Sequence, residues 1–224
     1  MTDDLLIKPQ NNVGVIIQAR MTSKRFPGKS MADLMGKPVV EHVIRNCMLI
    51  KPLNKLIIAV PDTDDSEPII QLAYNIGIDN FCGSEDDVLG RYYFAAKYFK
   101  LTHIVRITGD CPYINPKVCS EVLQLLLFRK LDYCANCYPV RTYPKGLDCE
   151  AFTWDALEAA HLATDGDGAL PGDREHVTPW LQRTPGLRRA CVQQHIDASH
   201  IDLCIDVPED IERTQKWKLE VSKR

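Results

Sequence analysis

The chain of 224 residues has the composition of an ordinary globular protein, with 45% hydrophobic residues, 25% charged residues and a formal net charge of −3. A slightly negative net charge excludes a general attraction to nucleic acid or to a membrane surface. Any binding of an anionic ligand must therefore depend on a local group of basic residues. No apolar run approaches the roughly 20 residues that a transmembrane helix needs. Residues 1–12 are polar and lack the layout of a signal peptide. We therefore expect a flexible tail at residues 1–12 and a cytoplasmic protein with no nucleic-acid or membrane partner.

Nine cysteines are present, and most of them stand singly inside apolar runs. This distribution is typical of buried free thiols in a reducing compartment, which agrees with the expected cytoplasmic location. Cys134 and Cys137 form a Cys-x-x-Cys pair, but no second pair follows at the spacing of a zinc site. A metal or redox role for this pair is therefore an alternative that we do not favour.

Strands and helices alternate through the first 130 residues. The predicted strands are the apolar runs 13–17, 55–60, 79–82 and 102–108. The predicted helices follow these runs at residues 38–49, 65–77, 86–99 and 116–128. Four strand–helix units with short connections favour a mostly parallel sheet that is covered on both faces. The pattern therefore predicts an α/β fold.

The alternation stops after Leu131. Residues 133–152 mix short extended pieces with turn residues, and the predicted elements beyond them are helices at 154–163 and 174–182, strands at 188–193 and 202–205, and a C-terminal helix from Pro208. We expect a single domain over residues 13–224, in which residues 133–187 form an insertion.

A basic loop follows the first predicted strand, which stops at Gln18. Its four cations are Arg20, Lys24, Arg25 and Lys29. A loop that leaves the carboxyl end of a buried strand lies where open α/β sheets bind their ligands. Four positive charges, with the small residues Ser23 and Gly28 between them, suit a ligand that carries several phosphates. A solvated basic loop is the alternative.

Two aspartates follow predicted strands. Asp110 comes directly after strand 102–108, at the same end of a parallel sheet as the basic loop, and Asp206 follows strand 202–205. A carboxylate beside a phosphate site is repelled unless a divalent cation lies between them, and Mg²⁺ typically binds one or two carboxylates plus phosphate oxygens. The alternatives are a turn residue for Asp110 and, with Glu209 three residues later, a helix cap for Asp206.

Residues 15–37, VIIQARMTSKRFPGKSMADLMGK, resemble the opening signature of the CMP-sugar-synthetase-like cytidylyltransferases. This family includes the KDO and acylneuraminate cytidylyltransferases and the spore-coat polysaccharide biosynthesis type. The later stretches that are similar to the last branch are GSEDDVLGRYY, VRITGDCPYI, RTYPKGLDCEAF, REHVTP and CIDVPEDIE. The resemblance covers about residues 13–220.

The resemblance implies a three-layer nucleotide-diphospho-sugar transferase fold, which is glycosyltransferase-A-like and has a mostly parallel central sheet. It also implies a nucleotidyltransferase that uses CTP as donor and Mg²⁺ as cofactor, transfers CMP to an acceptor and releases pyrophosphate. Sugar acids, phosphates and phosphonates remain open as acceptors. By analogy with the sugar-acid members, we expect a homodimer through residues 139–183, where Tyr143, Trp154 and Trp180 are expected to be exposed.

Several residues match functional positions of the family. The nucleotide-binding positions are matched by Ala19, Arg20, Ser23, Arg25 and Lys29, and the two metal-binding aspartates by Asp110 and Asp206. The predicted catalytic set is Arg20, Lys29, Asp110 and Asp206. Ser84 and Asp87 lie in a stretch that the resemblance places near the cytosine and ribose. Asp87 would accept from the exocyclic amine of cytosine, or alternatively it caps the next helix.

The predicted acceptor-binding residues lie in the insertion: Arg141, Lys145, Asp148, Glu150, Arg174 and His176. Asp148 and Glu150 are two residues apart, so on a strand they would share one face. That arrangement suits the recognition of hydroxyl groups, and a set of salt bridges is the alternative. His176 would take the acceptor proton, since an imidazole near neutral pKa acts as a base, or it would be a structural donor.

Two other classes of function compete with this interpretation. A glycosyltransferase that uses a nucleotide sugar would carry an Asp-x-Asp metal motif, but the match at Asp165-Gly166-Asp167 lies in a loop-like segment and not at a strand end. A non-catalytic nucleotide-binding protein is the third possibility. The presence of Asp110 and Asp206 together with the basic loop argues against it.

Overall fold

The computed structural model describes residues 11–166 and 169–221. Most of the expected tail at 1–12 and Asp167 of the Asp-x-Asp match therefore lie outside the described residues. The strands are β1 Val13–Gln18, β2 Asp33–Leu34, β3 Lys37–Pro38, β4 Lys55–Pro61, β5 Asp79–Gly83, β6 His103–Thr108, β7 Tyr133–Ala135, β8 Glu150–Thr153 and β9 Arg189–Cys191. The α-helices are α1 Val39–Cys47, α2 Glu67–Ile76, α3 Val88–Tyr98, α4 Pro116–Arg129, α5 Trp154–Ala163, α6 Asp173–His176, α7 Pro179–Arg183 and α8 Glu209–Val221.

A seven-stranded sheet has the order β5-β4-β1-β6-β8-β7-β9. β1 pairs in parallel with β4 and β6, and β5 extends this parallel part beside β4. β8 runs antiparallel to both β6 and β7, and β9 pairs in parallel with β7. The prediction of an α/β fold with a mostly parallel central sheet is confirmed.

Alternate residues of β1 enter two different cores, because side chains alternate between the faces of a strand. Val13, Val15 and Ile17 pack with α1, α2 and α4 on one face of the sheet. Ile16 packs with α3 and α5 on the other face. All four side chains are fully buried. The sheet is therefore the middle of three layers, which is why β1 consists mainly of apolar residues.

The helix predicted over residues 174–182 is wrong in one respect, because it is broken in the middle. Val177 has a φ of 69° and separates α6 from α7. A β-branched residue at positive φ cannot continue an α-helix. α7 then begins at Pro179, in its first turn, where proline is well tolerated. The break leaves α6 packed against α3.

The strand predicted at residues 202–205 is also wrong. Asp202 forms one isolated bridge with Lys145, and the N–H of Ile205 donates to the carbonyl of Asp110 at 2.9 Å. The segment is therefore held just beyond the end of β6 and does not extend the sheet. This position brings Asp206 beside Asp110. The strand predicted at 188–193 is confirmed in shorter form as β9.

The aromatic side chains expected on the surface of the insertion are largely covered. Tyr143 is only 7% exposed. Trp154 stacks on Tyr93 with 5.2 Å between the ring centroids, and Trp180 packs against the core that contains α3 and α5. The expectation that these rings are exposed is wrong, because Tyr143 is buried and both tryptophans pack against other side chains. None of the helices in residues 11–166 and 169–221 has both the length and the apolar composition of a membrane-spanning segment.

Candidate active site

The carboxyl ends of β1 and β6 form the floor of a cleft. Gln18 and Thr108 are partners in the parallel register at this edge, and the chain leaves both strands into loops. The N–H of Gly109 donates to the carbonyl of Gln18 at 2.8 Å. A Cβ on Gly109 would lie 2.9 Å from both this carbonyl and the Cβ of Ala19, so only glycine lets the two loops approach so closely.

The cleft has a volume of about 1270 Å³. Sites for one small ligand usually measure about 300–1,000 Å³, so the space suits two substrates. The predicted site residues that line it are Ala19, Arg20, Ser23, Arg25, Lys29, Asp110, His176 and Asp206. The structure therefore brings together residues from the basic loop, from the end of β6, from α6 and from the segment before α8.

Lys29 joins the two predicted metal-binding aspartates. Its Nζ lies 2.7 Å from Oδ2 of Asp110 and 3.0 Å from Oδ1 of Asp206. Burial opposes the charge of Lys29, but the two carboxylates outweigh this effect and raise its pKa. Burial likewise opposes the charge of Asp110, but the attraction of Lys29 outweighs it and holds the pKa of Asp110 below its usual value. The three charged groups therefore form one coupled cluster.

Asp206 is not the cap of α8. The backbone N–H groups of Asp206 and Val207 donate to Oδ2 of Asp210, at 2.7 and 2.9 Å. Asp210 therefore stabilises this turn, and the Asp206 carboxylate is free to face the cleft. Oδ2 of Asp206 also forms an ion pair with a guanidinium nitrogen of Arg25, at 3.1 Å. The capping alternative for Asp206 is wrong because Asp210 performs that role.

The pair of aspartates fits a divalent cation. Both carboxylates converge on the single ammonium group of Lys29, which stands where a cation between them would stand. No cluster of three or more potential metal-binding residues occurs in ranges 11–166 and 169–221. The protein would therefore supply two carboxylates, and phosphate oxygens and water would complete the ligands, as is typical of Mg²⁺.

Asp87 caps α3, and Ser84 lies in the loop before it. Oδ1 of Asp87 accepts from the N–H of Gly90 at 2.8 Å, and Oγ of Ser84 accepts from the N–H of Asp87 at 3.1 Å. The other oxygen of Asp87 forms an ion pair with Arg174. This geometry favours the capping alternative for Asp87 over a contact with cytosine, because both carboxylate oxygens already have partners.

The predicted acceptor residues separate into two groups. His176 lines the cleft. Four of the others form three ion pairs elsewhere: Arg141 with Asp148, Lys145 with Asp202, and Glu150 with Arg106. Arg174 reaches Asp87 as described above. Asp148 and Glu150 do not share a strand face, because β8 begins only at Glu150.

Glu150 occupies a buried polar cluster. It is 3% exposed and accepts from Arg106, from the hydroxyl of Tyr133 and from the amide of Gln182. Burial opposes the charge of Arg106, but Glu150 outweighs it and raises the pKa of Arg106. Burial, followed by the Glu150 carboxylate, raises the pKa of Tyr133. The structure therefore favours the salt-bridge alternative for Glu150.

The pair Cys134 and Cys137 lies at β7 and just beyond it. Cys134 is fully buried on the strand, and burial raises the pKa of its thiol to about 12. Burial also raises the pKa of Cys137. Metal binding and thiol exchange both require the thiolate, which these surroundings disfavour. All nine cysteines are free thiols.

Other residues that line the cleft are Gln18, Glu85, Asp86, Arg91, Thr108 and Glu175. Arg91 is 3% exposed, and one guanidinium nitrogen donates to the carbonyl of Ser84 at 2.6 Å. Its Nε has no partner among the described residues. Burial lowers the pKa of Arg91. In the sequence, the signal for Arg91 is its position four residues after Asp87, which places it on the first turns of α3.

The family model described as "Cytidylyltransferase" matches residues 14–221. The spore coat polysaccharide biosynthesis protein SpsF of Bacillus subtilis is 28% identical over 210 residues, which cover 90% of this chain and 84% of SpsF. A solved cytidylyltransferase from Leptospira borgpetersenii is 30% identical, with a TM-score of 0.85, and the match covers 92% of this chain and 86% of that one.

A solved CMP:2-keto-3-deoxy-manno-octonic acid synthetase, complexed with CTP, has a TM-score of 0.71 at 15% identity. That match covers 94% of this chain and all of the other, and at this identity it shows the shared fold, which is that of the nucleotide-diphospho-sugar transferases. The family match, in contrast, extends over almost the whole sequence and includes every residue of the cleft. The chain therefore belongs to the cytidylyltransferase family and is a nucleotidyltransferase.

Proposed function

We propose that this enzyme transfers CMP from the Mg²⁺ complex of CTP to a small acidic acceptor and releases pyrophosphate. The observation that carries the proposal is the convergence of Asp110 and Asp206 on one cationic group, directly beside the basic loop. A nucleoside triphosphate with a divalent cation matches this arrangement of charges, because its phosphates face the arginines while the carboxylates hold the metal.

The basic loop would bind the triphosphate. Arg20, Arg25 and Lys29 all line the cleft. Attack on the α-phosphorus builds negative charge on the non-bridging and leaving oxygens. Oriented cations stabilise that charge more strongly in the transition state than in the bound substrate. Mg²⁺ held by Asp110 and Asp206 would add further electrophilic stabilisation at the phosphates.

The acceptor would enter beside α6. Glu175 and His176 line the cleft with the floor residues Gln18 and Thr108. His176 would accept a proton from the attacking hydroxyl, which is the role of a general base. We propose a sugar-acid, phosphate or phosphonate acceptor for a surface glycan or a related conjugate. Similarity to a spore coat polysaccharide biosynthesis protein and to a 2-keto-3-deoxy-manno-octonic acid synthetase supports this class.

We also propose a cytoplasmic homodimer with one domain over residues 13–224. Nine free cysteines support a reducing compartment. The proposed dimer surface lies in residues 139–183, where Leu162 and Leu170 are 64% and 55% exposed. Light scattering at micromolar concentration tests this part, and a monomer there would contradict it.

Pyrophosphate release tests the reaction. The purified enzyme is incubated with Mg²⁺, one nucleoside triphosphate and one acceptor from a panel of sugar acids, sugar phosphates and phosphonates. We expect release from CTP only, dependent on both metal and acceptor. Transfer of a sugar from a nucleotide sugar, with no pyrophosphate from CTP, would instead support a glycosyltransferase. Binding of CTP without any turnover would support a non-catalytic role.

A further inference from the structure

The ammonium group of Lys29 occupies the position that the proposed function assigns to a divalent cation. It lies 2.7 Å from Oδ2 of Asp110 and 3.0 Å from Oδ1 of Asp206, and the Lys29 side chain is only 13% exposed. The remaining carboxylate oxygens have other neighbours. Oδ2 of Asp206 faces Arg25 at 3.1 Å, and Oδ1 of Asp110 lies 3.5 Å from the thiol of Cys111. The oxygens that face Lys29 are therefore the ones that a metal would use.

A divalent cation and Lys29 compete for these oxygens. Both need the inner oxygens of Asp110 and Asp206, and two cations in one partly buried space repel each other strongly. The ammonium must therefore leave before both carboxylates can bind a metal. Without that movement, a cation can reach at most the outer oxygens, which already have partners.

Only the side chain of Lys29 needs to move. The backbone around it is held by the N–H of Gly28, which donates to the carbonyl of Met21 at 2.9 Å, and by the hydroxyl of Ser30, which donates to the carbonyl of Arg20 at 2.9 Å. Lysine has a flexible four-carbon stem, so its ammonium can leave the carboxylates while the loop stays in place. A triphosphate bound in the cleft would offer the ammonium new anionic partners, with more negative charge than any single carboxylate of the lining.

We propose that Lys29 is an internal counter-ion that holds the divalent-cation position until the triphosphate draws it away. This inference rests on the proposed function, because it takes CTP as the ligand that releases Lys29. It follows that the metal binds with the nucleotide and not before it. Binding of the two is cooperative, and each raises the affinity for the other by the same factor.

The size of the effect depends on how often Lys29 leaves the carboxylates spontaneously. If the metal-competent arrangement is present in a tenth of the molecules, the apparent affinity for the metal falls about tenfold. A variant that lacks the ammonium removes this loss. Lys29→Met keeps a side chain of similar length and deletes the charge. It therefore removes the competing ammonium while changing the shape of the site little.

The test is a titration of the nucleotide-free protein with Mn²⁺, followed by electron paramagnetic resonance of the free ion. We expect Lys29→Met to bind Mn²⁺ at least about tenfold more tightly than the unaltered protein. Lys24→Met is the matched control, because Lys24 is an exposed lysine of the same loop and, in the described chain, forms no ion pair. Loss of the Lys24 charge alters only the long-range electrostatic potential, which salt screens, so we expect the Mn²⁺ affinity to change by less than about threefold.

Equal Mn²⁺ affinities for Lys29→Met and Lys24→Met would overturn the inference, as would tight binding by the unaltered protein without nucleotide. Asp110→Asn in the Lys29→Met protein should abolish the gain, and a gain that persists there would place the ion elsewhere and also overturn it. Circular dichroism confirms the fold of each variant. If Mn²⁺ binding follows this pattern but no acceptor supports pyrophosphate release, the proposed reaction fails while the role of Lys29 stands.

Discussion

Arg174 of α6 forms an ion pair with Asp87, the residue that caps α3. The same guanidinium donates to the carbonyl of His161 at 3.1 Å, at the end of α5. Arg174 therefore joins α6 to two other helices. Glu175 and His176, the next residues of α6, line the cleft, so this ion pair positions the side of the site that we assign to the acceptor.

Loss of this connection should affect the acceptor more than the nucleotide. For Arg174→Ala we expect kcat/KM for the acceptor to fall by about tenfold or more, because a displaced α6 no longer orients the reacting groups. The value for CTP should change far less. Arg188→Ala is the control, since Arg188 is exposed and pairs with Asp132 away from the cleft. Equal losses for both substrates would show that Arg174 is not a positioning residue for the acceptor.

Asp110→Ala should abolish turnover while the fold is retained. Removing one strong electrostatic contact of the transition state typically lowers the rate by about a hundredfold or more. Mg²⁺-dependent pyrophosphate release measures this effect, and circular dichroism checks the fold. Asp79→Asn is the control, because Asp79 pairs with Lys55 at the opposite end of the sheet. Activity of Asp110→Ala within about threefold of the unaltered enzyme would contradict the metal assignment.

Lys29→Ala should lower kcat/KM for CTP by roughly 3–4 kcal/mol of transition-state stabilisation, as for other oriented donors. Lys29→Arg should recover little of it, because a planar guanidinium does not replace the compact charge of an ammonium on the triphosphate. Steady-state kinetics over a range of CTP and Mg²⁺ concentrations measures both variants. An unchanged kcat/KM in Lys29→Ala would show that this lysine is merely a charged residue of the loop.

Glu150→Gln should be a stability variant. Removing one partner of a buried ion pair typically costs about 3–5 kcal/mol, because the other charge, here Arg106, stays buried and uncompensated. Asp148→Asn is the matched control, since its pair with Arg141 is more exposed and should cost about 1 kcal/mol or less. Urea unfolding measures both free energies. A raised KM for the acceptor in Glu150→Gln, without a loss of stability, would restore the acceptor-binding role.

Asp173 should make the stability of the protein depend on acidic pH. Its buried carboxylate forms an ion pair with Arg183, and these hydrogen bonds lower the pKa of Asp173. A carboxyl with a lowered folded-state pKa contributes stability that is present above its unfolded value, about 3.9, and is lost as the pH falls further. Urea midpoints between pH 6 and pH 3 should fall less steeply in Asp173→Asn than in the unaltered protein. Equal slopes would contradict this role.

Local sequence patterns were sufficient for the first half of the fold and for the position of the basic loop and Asp110 at one edge of the sheet. Between residues 13 and 129, the β-branched runs and the helical spacing of apolar residues depend only on residues close together in the sequence. The four strand–helix units therefore lie close to their predicted bounds. The basic loop and Asp110 follow adjacent strands, and the parallel register of β1 and β6 alone places them at one edge. The family was recognisable from the sequence for a similar reason, because each of its motifs is a continuous stretch of the chain.

Only the tertiary structure decided what those residues contact. Lys29 and Asp206 are 177 positions apart, and no local pattern predicts that one ammonium stands between two carboxylates. The sequence predicts an acceptor-binding role for Glu150 because it does not show that this carboxylate is buried against Arg106, a residue of the neighbouring strand. The break at Val177 likewise opposes its local helical pattern, and it is maintained where this side chain is completely buried. Packing free energy, summed over distant segments, outweighs local preference at these positions.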